Sequence, residues 1–210
     1  MDDEYYRMIG AHLYSFPQRF GQTEEAKDTM HNKKDYFKQS WHYIPAGPDS
    51  VKRRTEILKY HLLSIKKPNV DQSGLKMLEI GCGFGFNLMY FRRMLYAVSQ
   101  LDGIEINTDY NMFYESIINT GQYATPQTNI YNEDIFKFDK IKNYDVIYFY
   151  EPLRTPEMQE KFYKYLLKHA KKGALFLTAF AGSTTARTNA GWNNKKKVTP
   201  IVEELLYMKK

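Results

Sequence analysis

The stretch Leu75–Tyr90 constrains this chain more than any other part of it. An apolar run, Leu75 to Ile80, breaks into three glycines at alternate positions, Gly81, Gly83 and Gly85, and a helix-period segment from Phe86 to Ala97 follows. Strand, glycine turn and helix form the βα unit that brings backbone N–H groups against a ligand. Glycine suits such a turn because it accepts positive φ and carries no Cβ to hold a ligand off. Glu79 lies inside the strand end, two residues before the first glycine, where a carboxylate can meet a cationic amino group. A glycine-rich turn by itself has a second reading, a tight connection with no ligand.

The spacing separates two kinds of nucleotide binder. A dinucleotide fingerprint needs G-x-G-x-x-G/A, with a small residue where the helix packs on the strand. Phe86 stands at that place, so the nicotinamide pattern fails at its third element. The pattern E-x-G-x-G-x-G of Glu79–Gly85 instead resembles the first motif of the class I S-adenosylmethionine-dependent methyltransferases.

Three downstream features fall in the order this resemblance requires. Gln100 to Ile106 reads as a second strand, and Asn107-Thr108-Asp109 as the capped start of a helix. Glu105 stands at the strand end, twenty residues after Gly85. The resemblance implies that it accepts the ribose hydroxyls of an adenosyl ligand; alternatively it favours the dipole of the next helix. A third strand ends in Asn132-Glu133-Asp134, where the family places an acid on the adenine amino group; Asp134 also fits an Asx turn. A fourth strand, Tyr144 to Tyr150, runs into Glu151-Pro152-Leu153, the corner beside the transferred methyl group in the family.

The resemblance spans Leu75 to Ala181 and implies S-adenosylmethionine as donor, S-adenosylhomocysteine as product. Its donor-binding set is Glu79, Gly81, Cys82, Gly83, Gly85, Glu105, Ile106, Asp134 and Ile135, and its catalytic candidates are Glu151 and Tyr150. An oxygen or amine nucleophile often needs deprotonation, which Glu151 could supply. Glu151 also fits a carboxylate that merely leads the next helix. The Tyr-Glu-Pro-Leu corner departs from the Asn/Asp-Pro-Pro-Tyr corner of methyltransferases acting on nucleic-acid amino groups and has no following aromatic to stack on an extruded base. A protein side chain or small molecule is therefore the expected acceptor. A nucleic acid, and a noncatalytic methyltransferase-like subunit, are the alternatives.

The expected architecture is α/β: a Rossmann-like class I methyltransferase fold, with a mostly parallel twisted sheet and helices on both faces. Strands are expected at 75–80, 99–106, 128–132, 144–150 and 174–181, and helices at 86–97, 109–119 and 156–171. Only the short Ile135–Ile141 segment stands between the third and fourth strands, and Val198–Met208 is read as a closing strand or one half of a hairpin, at an edge because Pro200 disfavours a central position. Residues 71–210 are read as the donor-binding unit and 1–70 as a helical, aromatic extension, the whole forming one compact unit. Asp49-Ser50 is read as the cap of a helix to about Ile65 with Ile57, Leu58, His61, Leu62 and Ile65 on its buried stripe. A further helical pattern covers Glu24–Phe37. Tyr36, Phe37, Trp41, His42 and Tyr43 either fold over the crevice as a lid or pack a layer on the sheet edge.

Composition excludes other classes. No apolar run approaches the ~20 residues of a membrane helix, and Met1-Asp2-Asp3-Glu4 lacks the order of a secretory signal. Cys82 is the one cysteine, so no internal disulfide forms, and its place between two glycines suits a small filler. These features are read as cytoplasmic. Five scattered histidines with no Cys partners give no metal-ligand spacing. The net charge of +6 concentrates partly in Lys195-Lys196-Lys197 and Lys209-Lys210. It permits a polyanion contact but equally fits solvated surface.

Overall fold

The computed structural model describes residues 48–64, 74–83, 85–95, 98–107, 128–150, 152–179 and 204–208. Six strands form one sheet among these residues: β1 Leu75–Ile80, β2 Val98–Glu105, β3 Ile130–Asn132, β4 Val146–Phe149, β5 Leu175–Ala179 and β6 Glu204–Met208, in the order β3-β2-β1-β4-β5-β6. The first five pair in parallel, and β6 closes the edge antiparallel to β5. Strand order reverses beside β1. The crevice of such a sheet opens there, outside the carboxyl ends of the strands.

Alternation along the strands makes two cores. Met77, Leu101, Val146, Tyr148, Leu175 and Leu177 point to one face, where helices α1 (Pro48–Ser64) and α2 (Phe86–Met94) bring Leu58, Leu62, Leu88 and Phe91. Leu78, Ile80, Ile104, Ile147, Phe149 and Phe176 point to the other, packed on Phe162, Tyr163 and Leu166 of helix α3 (Pro156–His169). Each such side chain gains ~1.5–3 kcal/mol by leaving water. Truncating Phe91, fully buried and edge-on to Tyr148 at 5.1 Å, would cost about 3–5 kcal/mol.

Local chemistry sets the helix ends. Thr155 caps α3 by accepting the Met158 N–H at 3.3 Å, Pro156 occupies the first turn, and Lys168 and His169 lie in the last. The expected crossover helix between β3 and β4 is reduced, as the short segment implied, to the 3-10 turns Ile135–Lys137 and Asp139–Asn143. Several boundaries differ from expectation: β4 is shortened to Val146–Phe149 and α3 ends at His169, two residues early. Helix α1 starts at Pro48, so Asp49 and Ser50 lie inside its first turn instead of capping it. Helix α2 ends at Met94, three residues short, where Leu95 leaves helical φ/ψ. The 24–37 and 109–119 helices, the aromatic segment 36–43 and the 182–197 loop fall outside the described residues.

Candidate donor site at the carboxyl ends of β1 and β2

The glycine turn is built on positive φ at three positions: 72° at Gly81, 54° at Gly83 and 74° at Gly85. Side chains rarely adopt this region, so the sequence requirement is conformational before it is anything else. The Gly81 and Cys82 N–H groups donate to the Ile104 carbonyl (2.9 and 3.2 Å), and the Gly85 N–H donates to Cys82 O (2.9 Å). Gly85 then serves as the N-cap of α2 with no side-chain hydrogen bond. A Cβ on Gly81 would lie 3.3 Å from Pro152, so the corner after β4 abuts the turn.

Cys82 packs inward as the expected filler. It is 2% exposed, and burial pushes its thiol well above the ordinary value, with the Glu105 and Glu79 charges acting in the same direction. Beneath it lies Gly103, where a Cβ would stand 2.6 Å from the sulfur and 2.7 Å from a Leu88 methyl. Only glycine lets β2 pass so close under the turn. The sequence signal was present, since a lone glycine inside a strand often marks close approach.

Two carboxylates flank the turn. Glu79 sits between Gly103 on β2 and Tyr148 on β4 in the strand register. Its Oε1 accepts the Asn87 amide at 2.7 Å, while its buried Oε2 meets no hydrogen-bond partner among the described residues. Burial raises this carboxyl to about 8 against the opposing pull of the Asn87 hydrogen bond and the Arg54 charge. Glu105, at the end of β2, is buried as well. Its Oε2 accepts the Gly83 N–H at 3.0 Å and its Oε1 the Asn107 N–H at 2.9 Å. Burial raises the Glu105 carboxyl too, and these backbone hydrogen bonds oppose the rise. An ionised carboxylate has about four lone-pair sites, so both of its oxygens keep acceptor capacity.

The other candidates lie on the same side of the sheet. Ile106 follows β2 directly, half-buried. Asn132 at the end of β3 donates to the Glu105 carbonyl at 3.0 Å, drawing the two strand ends together. Asp134 realises the Asx-turn reading, accepting the Phe136 N–H at 3.0 Å to cap the first 3-10 turn. Ile135 is buried in the second core. Tyr150, at the end of β4, is 36% exposed; Tyr148 and Phe149 are buried on opposite faces. Glu151 lies outside the described residues.

Two neighbours went unread in the sequence. Asn87, from the first turn of α2, donates its side-chain amide to Glu79 and is its one hydrogen-bond donor among the described residues. Arg54 of α1, 4% exposed, donates from Nη1 to the Tyr148 hydroxyl at 2.6 Å and lies 4.8 Å from the Tyr150 ring centroid.

No family model and no curated protein matches the chain. Solved structures do. Magnesium protoporphyrin IX methyltransferase (ChlM) from Synechocystis PCC 6803, solved with bound SAM, superposes with a TM-score of 0.56 at 11% identity, covering 98% of this chain and 97% of that one. HI0767 from Haemophilus influenzae, described as a methylase, gives 0.53 at 18% identity over 74% and 98%. StiE O-MT gives 0.43 at 22% identity over 63% and 47%. The chain spans about half the length of the first structures it matches. The identities are low and the topology is shared: this chain has the Rossmann-like fold of the class I S-adenosylmethionine-dependent methyltransferases.

Proposed function

We propose that the protein binds S-adenosylmethionine at the carboxyl ends of β1, β2 and β3 and transfers its methyl group to an acceptor at the end of β4. The observation that carries this reading is the buried Glu79 Oε2, which has no hydrogen-bond partner among the described residues and lies beside a turn of three positive-φ glycines. A buried acceptor of that kind is costly unless a ligand completes it, and the amino group of the donor has the matching charge. The residues present therefore fit the group.

When bound, the donor supplies a methyl group already activated by its sulfonium. The chain has to hold, orient and deprotonate. Glu79 receives the amino group, and Glu105 receives the ribose hydroxyls on the lone pairs its backbone partners leave. Asp134 and Ile135, with Ile106, bracket the adenine. Gly81, Cys82, Gly83 and Gly85 let the backbone approach. Tyr150 stands at the acceptor end, and Glu151, next in sequence, is the candidate base or orienting group for a protein side chain or small molecule. The lysine cluster 195–197, which raised nucleic acid as an acceptor, lies outside the described residues. Among the described residues no helix is long and apolar enough to cross a membrane.

S-adenosylhomocysteine should raise the melting temperature by mass action and NAD should not. Absence of adenosyl-ligand binding by calorimetry at millimolar concentration would defeat the reading. Incubation with methyl-labelled donor and separate protein, metabolite and nucleic-acid fractions then identifies the acceptor by which fraction gains label.

A further inference from the structure

Arg54 stands where three parts of the site meet. It comes from α1, well before the glycine turn in sequence, yet its guanidinium is buried at the carboxyl end of β4. It donates to the Tyr148 hydroxyl at 2.6 Å, and its charge centre lies 6.0 Å from the Tyr148 ring centroid and 4.8 Å from that of Tyr150. Tyr148 is the register partner of Glu79 on the neighbouring strand, so the cation is anchored to the strand next to Glu79, and its charge favours ionisation of that carboxyl.

We propose that Arg54 is a positioning residue that ties α1 into the donor site, favouring the ionised form of Glu79 that receives the donor's amino group while pinning Tyr150 at the acceptor end. This rests on the donor reading above. The surroundings make one cation decisive. From β2, Glu105 opposes ionisation of Glu79, and burial opposes it most. From the turn, Cys82 is a buried thiol held in its neutral form. From α2, Asn87 contributes a neutral amide. From β4, Tyr148 and Tyr150 contribute phenols in contact with Arg54. Arg54 is the cation acting on Glu79 among the described residues. The guanidinium stays charged across the accessible pH range and its planar fork can hold a phenol while lying over a ring, which an ammonium does less well.

The test titrates Glu79 in the free protein by carboxyl-carbon NMR, with the signal assigned by its loss in Glu79→Gln. The same variants are titrated with S-adenosylhomocysteine from pH 6 to 9. Wild type should show a Glu79 inflection near 8, with affinity rising toward that pH. Arg54→Met, which keeps an apolar stem, should move the inflection up by about one unit or more, lowering affinity at pH 7 roughly tenfold. Arg54→Lys should restore most of the inflection and less of the ordering of Tyr150. Tyr148→Phe removes only the hydroxyl that anchors the guanidinium and should move the inflection in the same direction. It is the decisive variant if Arg54→Met fails to fold. An unmoved Glu79 inflection in folded Arg54→Met or in Tyr148→Phe overturns the proposal. If wild type binds no S-adenosylhomocysteine, the donor reading fails, while the carboxyl titration of the free protein still decides whether Arg54 governs Glu79.

Discussion

Strand β2 carries two buried carboxylates three residues apart, and they are treated in opposite ways. Asp102 is saturated: its Oδ2 accepts from the Gln100 amide and the Tyr144 hydroxyl, both at 2.6 Å, and its Oδ1 from the Asn129 backbone and side chain at 2.8 and 3.0 Å. Glu105 is met only by backbone donors, Gly83 on Oε2, Asn107 on Oε1 and Ile106 besides, and Glu79 beside it on β1 has a whole oxygen with none among the described residues. A carboxylate whose job is to hold a fold is filled by the fold. On the donor reading proposed above, one that awaits a ligand keeps lone pairs in reserve, at a cost to the folded state.

Glu79→Gln tests that cost most strongly. The folded carboxyl keeps its proton up to about 8, while the unfolded one loses it near 4.5. The raised folded value means that wild-type stability falls as pH rises through this window. Glutamine, which never ionises, should therefore be more stable than wild type by about 4 kcal/mol at pH 8 and nearly equal below pH 4.5. It should also bind S-adenosylhomocysteine more weakly. A stability gap that does not widen with pH, read from melting curves, would erase the distinction between the two carboxylates.

Asp102→Ala probes the saturated partner. It strands buried donors on Gln100, Tyr144 and Asn129 and should cost about 3 kcal/mol in urea unfolding, with adenosyl-ligand affinity unchanged. A loss of affinity with little loss of stability would move Asp102 to the functional side.

Glu105 falls between the two and should show both effects at smaller size. Glu105→Ala should weaken S-adenosylhomocysteine by about 1–3 kcal/mol in calorimetry and also lower the melting temperature, because the Gly83 and Asn107 N–H groups lose their acceptor. Unchanged affinity would leave Glu105 a brace for the turn and nothing more.

The readable parts of this molecule were those written in local pattern. β1 spans the expected Leu75–Ile80, and the shortened crossover follows from how few residues separate β3 from β4. Periodicity also placed Leu58 and Leu62 on the buried side of α1. Contacts between distant segments were not readable in this way. Arg54 reaches Tyr148 across 94 positions of sequence, and a basic residue on a helix with Lys52 and Arg53 beside it gives no sign of being the one turned inward. The burial of Glu105 depends on the turn folding over the end of β2, which strand patterning does not encode. Asp102 did leave a trace, as a charge in the middle of a strand with Leu101 before it and Gly103-Ile104 after it.

The close passage of Gly103 beneath Cys82 makes the two positions a shared volume. Sulfur above and hydrogen below fill it together, and a methyl at 103 would have to displace both the sulfur and the Leu88 methyl. Neither site therefore drifts alone: enlarging 103 calls for shrinking 82 and turning Leu88, so substitutions here become permissible only in company. The rim of the crevice takes its tight packing from a strand residue that has no side chain.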